Sequence, residues 1–349
     1  MRANHDGAAA DALSYPPLPI PEPGRGVEIT PELHWLRLPL PSRLNHINVW
    51  LLGDAAGWTL VDTGIRSEEL AAIWEDLAAA YFAERPLRRV LVTHHHPDHF
   101  GLAGTLSRRH GVPVFMSALA ARRARQLTCG EDMPTDDEVA AFYGRHGLAD
   151  TARMVAVAGG RSYGRVVDAP PSELHVLAAD EVIDIGARRW RCLEMHGHAD
   201  GHIALYCESL GVLIAGDQVL PQITPNISVF ALDPEANPLA AYLASLERLA
   251  ALPASTLVLP SHGRVFHGLR LRIEALRAHH ETLCRKALAC CVGGATVADV
   301  LPALFPRELD DLNFMLAFGE TLAHLRYMSS VGRLHADAGD PVRFHAEAK

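Results

Sequence analysis

The alternation of apolar and polar positions divides the chain into stretches of different character. From Val27 onward, short apolar and β-branched runs are bounded by Gly and Asp turn signals. HINVWLLGD followed by Trp58–Asp62 (WTLVD) predicts a β-hairpin. Residues 68–83 (EELAAIWEDLAAAYFA) switch to helical periodicity and strong helix formers. Arg89–Thr93 (RVLVT) predicts a buried strand, residues 102–110 a helix and Pro113–Met116 another strand. Strands and helices in alternation predict an α/β layered fold. Residues 118–163 are rich in Ala and Arg, carry no strand signal and predict a helical insertion over one side of the core. Strand signals return in HVLAAD, EVIDIG, RWRCLEM, IALYCES and GVLIAGD, read together as a second sheet. A helix over 236–252 and a short strand over 256–259 lead into Pro260-Ser261-His262-Gly263.

The two ends differ from this middle. Tyr15–Gly26 (YPPLPIPEPGRG) is dominated by proline, and residues 1–26 are expected to form a flexible leader. From Leu269 a long amphipathic helix runs to Cys291 and is followed by a Gly-Gly-Ala-Thr turn and cap. VADVLPALF and a helical run over 311–328 complete a small helical unit.

Charge and composition narrow the functions open to such a chain. The formal net charge is -9, which argues against a protein built mainly to grip a nucleic-acid backbone. The cysteines, Cys129, Cys192, Cys207, Cys284, Cys290 and Cys291, form no CxxC pair. They read as free thiols in a reducing cytoplasm. No signal peptide and no membrane-spanning stretch is visible.

The chemistry concentrates in residues 93–101, THHHPDHFG. His94, His96, Asp98 and His99 follow a buried strand. So many polar tips in so short a run cannot all be packed into a core. Imidazole and carboxylate together suit divalent metals: zinc first, with manganese or iron as alternatives. Two such ions side by side can clamp hydroxide, which is then available at neutral pH, and polarise a substrate oxygen.

His94-x-His96-x-Asp98-His99 resembles the signature of the metallo-β-lactamase superfamily. Asp62 in VDTG, His198 in GHADGH, Asp217 in IAGD and His262 in PSHG resemble the rest of its pattern, in order. The resemblance implies an αββα sandwich, with the site at one edge. It implies that His94, His96 and His198 bind a first metal, that Asp98, His99 and His262 bind a second, and that Asp217 bridges them. Asp62 would orient the metal loop by hydrogen bonds. Apart from the resemblance, Asp98 has a second prospect as acceptor for the nucleophile, and either it or a metal-bound water would return the proton to the leaving group. Residues 27–268 would then be the catalytic domain, with 118–163 inserted in it. Residues 269–349 resemble the small winged-helix domain carried by some members, on the strength of ATVADVLPALF and ETLAHLRYMSSVGRL.

Other polar residues carry plainer expectations. His95 should point away from the metals and His202 should hydrogen-bond a loop, while His279 and His280 read as a solvated helix face. Cys192 reads as a buried structural thiol, and Tyr163 and Tyr206 are candidates to reach the pocket. The resemblance favours a small ester-like substrate, a thioester as in the glyoxalase II-like branch, over a lactone. A nuclease of the same fold is a further alternative, weakened by the acidic charge and the scarcity of Lys and Arg over 295–334. A homodimer through the C-terminal helices is expected, because their apolar faces exceed what one small unit can bury.

Overall fold

A computed structural model describes residues 13–41, 44–158, 163–171 and 173–346. The first sheet holds β1 (Gly26–Thr30), β2 (Leu33–Pro39), β3 (His46–Asp54), β4 (Gly57–Val61), β5 (Leu87–Leu91), β6 (Val114–Ser117) and β7 (Leu174–Leu177), side by side in chain order. The second holds β8 (Val182–Ile185), β9 (Arg188–Met195), β10 (His202–Cys207), β11 (Val212–Gly216), β12 (Leu257–Pro260) and β13 (Phe266–His267), also in chain order.

Period-two alternation explains how the sheets layer. Along β3, Trp50 and Leu52 face a core shared with Trp190, Cys192, Ile203, Leu205 and Ile214 of the second sheet. Ile47, Val49 and Leu51 face the other way. There they meet α1 (Glu68–Tyr81), whose Leu70, Trp74 and Leu77 form its buried stripe. That helix starts where Ser67 Oγ accepts the Leu70 amide at 3.1 Å, with Glu68 and Glu69 in the first turn complementing the helix dipole. Both faces of β3 are therefore buried, which is why it reads as a continuous apolar run. The short α2 (Pro97–Phe100) and α3 (Ala103–His110) follow β5 on the same side. Much of the outer face of the second sheet is covered by α8 (Pro238–Ala250) and by the C-terminal helices α9 (Leu269–Cys290), α10 (Val297–Leu304) and α11 (Asp311–Ser330). The architecture is an αββα sandwich with a helical C-terminal region, closed by a two-stranded ribbon of β14 (His335–Ala336) and β15 (Phe344–His345).

The insertion is helical as expected and contains α4 (Ala118–Cys129), α5 (Asp136–Arg145), α6 (Ala152–Ala158) and α7 (Tyr163–Val166). It covers both sides of the core. Ala120 and Ala124 of α4 pack on the outside of the first sheet. Val139, Phe142 and Met154 of α5 and α6 join the core outside the second sheet.

Two expectations are corrected. HVLAAD forms β7, which belongs to the first sheet, parallel to β6 with Val114 opposite Leu174. The insertion is thus the crossover that parallel neighbours require. The leader is held from Leu13 onward: Leu13 is buried, Ser14 bridges to His267, and Arg264 donates to the carbonyls of Pro16 and Leu18. Residues 1–12 lie outside the described residues. Much of the apolar surface of α9 and α11 packs within the chain against α8 and α6, while Leu271 and Leu312 on the same helices stay exposed.

Candidate active site

The carboxyl ends of two parallel strand pairs meet at one edge of the sandwich. In the first sheet β4 runs parallel to β5, and in the second β11 runs parallel to β12. Asp62 follows β4, His94 follows β5, Asp217 follows β11 and His262 follows β12. His198 sits on the β9–β10 loop beside them. The sheets are stitched together at this edge. The Ile203 amide donates to the Thr93 carbonyl at 2.8 Å, and the Asn48 amide donates to the Ser261 carbonyl at 2.7 Å. The buried Asn48 side chain donates to the carbonyls of Pro260 and Gly263.

All seven expected ligands come together. One ligand atom each of His94, His96, His198 and Asp217 lies within 4.8 Å of the others, and Asp98, His99 and His262 form a second such group. Asp217 joins the groups. Its Oδ2 is 3.4 Å from His198 Nε2, and its Oδ1 is 3.5 Å from His99 Nε2 and 3.4 Å from His262 Nε2. Asp98 Oδ2 lies 3.4 Å from His262 Nε2.

A surrounding layer of hydrogen bonds fixes the rings. Asp62 accepts the Thr93 amide at 2.8 Å and the Thr93 hydroxyl at 2.9 Å, and its Oδ2 is 2.8 Å from His99 Nδ1. His198 Nδ1 donates to the Asn226 carbonyl at 3.0 Å, and His262 Nδ1 donates to the His46 carbonyl at 2.8 Å. With Nδ1 committed, Nε2 is the atom of His99, His198 and His262 left to bind a metal. Those Nε2 atoms and Asp217 Oδ1 are buried without a hydrogen-bond partner. Buried ligand atoms without a hydrogen-bond partner, gathered in two groups, are what two cations would satisfy, so the donor set fits two divalent ions.

The charges tell the same story. Burial disfavours a charged Asp217, yet His262 and His99 beside it hold its carboxyl well below the usual range. Burial also opposes protonation of His99 and His262. The carboxylates around them outweigh it, raising His99 well above its ordinary value and His262 to about 10. His94 and His96 go the other way, pushed down by burial and by neighbouring imidazoles. His94 Nε2 and His96 Nδ1 face each other at 2.9 Å.

A sequence profile described as "Metallo-beta-lactamase superfamily" matches residues 43–262, which include every one of these ligands. The chain belongs to the metallo-β-lactamase superfamily. A second profile, "Metallo-beta-lactamase-like, C-terminal domain", matches residues 284–347. This superfamily member is 28% identical over 318 residues to "Probable metallo-hydrolase YqjP" of Bacillus subtilis, covering 83% of this chain and 90% of the relative. It is 30% identical over 218 residues to a hydroxyacylglutathione hydrolase of Halorhodospira halophila, covering 61% of this chain and 60% of that one. Among solved structures, a "Beta-lactamase domain protein from Burkholderia ambifaria" is 40% identical, with a TM-score of 0.88 over 97% of this chain and 100% of that one. A metallo-beta-lactamase family protein from Thermus thermophilus is 32% identical, with a TM-score of 0.78 over 92% and 100% respectively.

In this metallo-β-lactamase-fold chain the remaining expectations divide. His202 is buried; its Nε2 accepts the Asp217 amide at 3.2 Å and its ring stacks on His94. Gly216, at φ 55, makes room for it, because a Cβ there would lie 2.2 Å from His202 Nε2. His95 stands outside both ligand groups. The Tyr163 hydroxyl donates to its carbonyl, which brings α7 to the rim of the site. Tyr206 does not reach the site. On β10 it alternates with Ile203 and Leu205 and so faces the outer core. Cys192 is buried between the sheets, as expected, and burial pushes its thiol up to about 12. His280 is corrected: it is fully enclosed against His324, because α11 covers that face of α9. The supporting residues Asn48, His46, Thr93 and Asn226 were not singled out from sequence. Each is an isolated polar residue whose role depends on a partner far away in the chain.

Proposed function

We propose that the protein is a dinuclear metal-dependent hydrolase of a small ester-like bond, with a thioester as the favoured substrate. The observation that carries the reading is the complete ligand set with Asp217 shared between its two halves. His94, His96 and His198 would hold one ion, Asp98, His99 and His262 the other, and Asp217 both. Zinc suits the His/Asp donors best, with manganese or iron as outcomes of the metal analysis. Bound divalent ions supply Lewis acidity toward the carbonyl and bring the pKa of water down to about 7. The hydroxyacylglutathione hydrolase among the relatives supports the thioester choice.

Asp98 is the ligand carboxylate with solvent access, its side chain 20% exposed against 10% for Asp217. We assign it the proton of the attacking water, held at Oδ and returned to the leaving thiolate. The test is to count metals in protein purified without chelators and to assay acyl thioesters, lactones, phosphodiesters and RNA. The reading expects about two ions in the His94–His262 cluster and thioester turnover that Asp217→Ala abolishes. Turnover of lactones alone would reassign the substrate. Cleavage of phosphodiesters or RNA alone would overturn the ester reading. Asp98→Asn that keeps both ions and full turnover would remove Asp98 from the proton path.

A further inference from the structure

A second collection of metal-ligating side chains lies in the C-terminal helices, away from the catalytic edge. His280 projects from α9 and meets Glu320 and His324 of α11, and one ligand atom of each lies within 4.8 Å of the others. Glu320 and His324 are four residues apart, which puts both on one face of the helix. All three are buried, at 1%, 3% and 0% exposure.

The hydrogen bonds leave this group incomplete. His324 Nδ1 donates to the Glu320 backbone carbonyl at 2.7 Å, so its Nε2 carries the lone pair. That lone pair faces His280 Nδ1 at 3.1 Å. The spacing resembles that of His94 Nε2 and His96 Nδ1, at 2.9 Å, in the catalytic cluster. His280 Nε2 has no hydrogen-bond partner and is buried, while its ring meets Tyr242 edge-on. The Glu320 carboxylate receives the neutral Asn226 amide at 3.2 Å. A cation there would hold Glu320 as its carboxylate and take up the free imidazole lone pairs.

We propose that His280, Glu320 and His324 form a third metal site that takes one divalent transition ion of the zinc type. Two imidazoles and one carboxylate suit such an ion. Burial acts on the same three groups and favours their neutral forms. It lowers both imidazoles, His324 to about 4, so that neither is protonated near neutrality, and it raises Glu320 to about 8. The ion's role would be structural, since it would clamp α9 to α11. It would also steady Glu320, which holds Asn226, whose carbonyl orients His198. The site stands apart from the choice of substrate, and its test reads metal content.

The full chain is saturated with zinc, desalted and analysed by elemental mass spectrometry beside variants treated identically. The proposal expects three equivalents in the native chain and one fewer in His280→Gln and in His324→Gln. A complementary variant, His96→Ala/Asp98→Ala/His198→Ala/Asp217→Ala/His262→Ala, leaves only His94 and His99 at the catalytic edge and should keep one equivalent. Loaded with cobalt, that equivalent should show the visible absorption of a low-coordinate site. This second arm decides the matter if the C-terminal variants fail to fold. Two equivalents in the native chain would mean that a shared proton fills the cluster, and would overturn the proposal. So would a third equivalent that survives His280→Gln, or a catalytic-cluster variant that binds nothing.

Discussion

Asp62 touches no substrate, yet it orders the site more than any other residue outside the ligand set. It sits at φ 63, in the left-handed region, and binds the Thr93 amide, the Thr93 hydroxyl and His99 Nδ1 with its two oxygens. Asp62→Asn would turn an amide N–H toward a group that must itself donate, so His99 would rotate or change tautomer. We expect metal affinity to fall by about 10–100-fold, the usual cost of losing such a partner, as read by chelator competition. A change below twofold would mean that Thr93 alone sets the loop. The ligand set also predicts how metal loading couples to protons. His99 and His262 are held protonated in the metal-free site by the carboxylates around them. Metals bind neutral imidazole, so loading should expel protons near neutral pH, and affinity should drop as pH falls. Calorimetric titration in buffers of differing ionisation enthalpy measures this directly. For the metal-free protein the sign is opposite. The His262 contribution to stability is fully present below its ordinary value of 6.5 and is lost as pH rises through about 10. The ligands were legible in sequence because most sit in one run with fixed spacing. Asn48, His46 and Asn226 were not, since nothing local distinguishes a polar residue that will pair across the fold.

At the scale of elements, the loop between β11 and α8 links the two halves of the molecule. It begins at Asp217, and its Asn226 carbonyl orients His198. The C-terminal helices hold it from outside. Arg272 of α9, fully buried, donates to the carbonyls of Leu220 and Ile223 at 2.6 and 2.8 Å. On α11, the Gly319 carbonyl accepts the Val229 amide at 3.1 Å, an approach so close that a Cβ on Gly319 would lie 2.6 Å from the Val229 carbonyl oxygen. Arg272→Met keeps the apolar stem but leaves those carbonyls buried and unpaired, at a cost of about 1–3 kcal/mol each. We expect a clear drop in Tm together with weaker retention of the metal at His94, His96 and His198. A drop in Tm with unchanged metal affinity would separate the loop's stability from its role in orienting His198. Alternation predicted strand existence well but not strand partners. β7 was placed with the strands that follow it because periodicity reports which face is buried and not which neighbour is paired. β2 went unread, although its inward positions, Leu33 and Trp35, lie in the same core as Trp50.

Across the whole molecule, the boundary drawn at 268 from the change in sequence character does not coincide with a break in packing. Leu193 and Met195 of β9, Tyr242 and Leu246 of α8, Phe142 and Tyr143 of the insertion, and Phe318 and Leu322 of α11 belong to one core. The outer face of the second sheet stays open at Val182, Asp184 and Arg189, while further along it α8 packs on β9 and the C-terminal helices pack over α8. A chain ended after 268 would expose that core at Leu193, Met195, Tyr206 and Leu246, all buried in the intact protein. Each large apolar side chain so exposed forfeits about 1.5–3 kcal/mol, and a few of them equal the whole stability of a typical domain. We therefore expect residues 1–268 to be insoluble or unfolded, and the full chain to unfold in a single transition followed equally by near-ultraviolet and far-ultraviolet circular dichroism. Two separated transitions, or a soluble 1–268 fragment that binds metal, would show that the catalytic sandwich is autonomous and that α9 to α11 are an accessory. A single transition would mean that the change in sequence character at 268 marks no break in stability. The amphipathic helices after 269 would then carry an apolar face because that face packs on the rest of the chain, while Leu271 and Leu312 on them remain exposed.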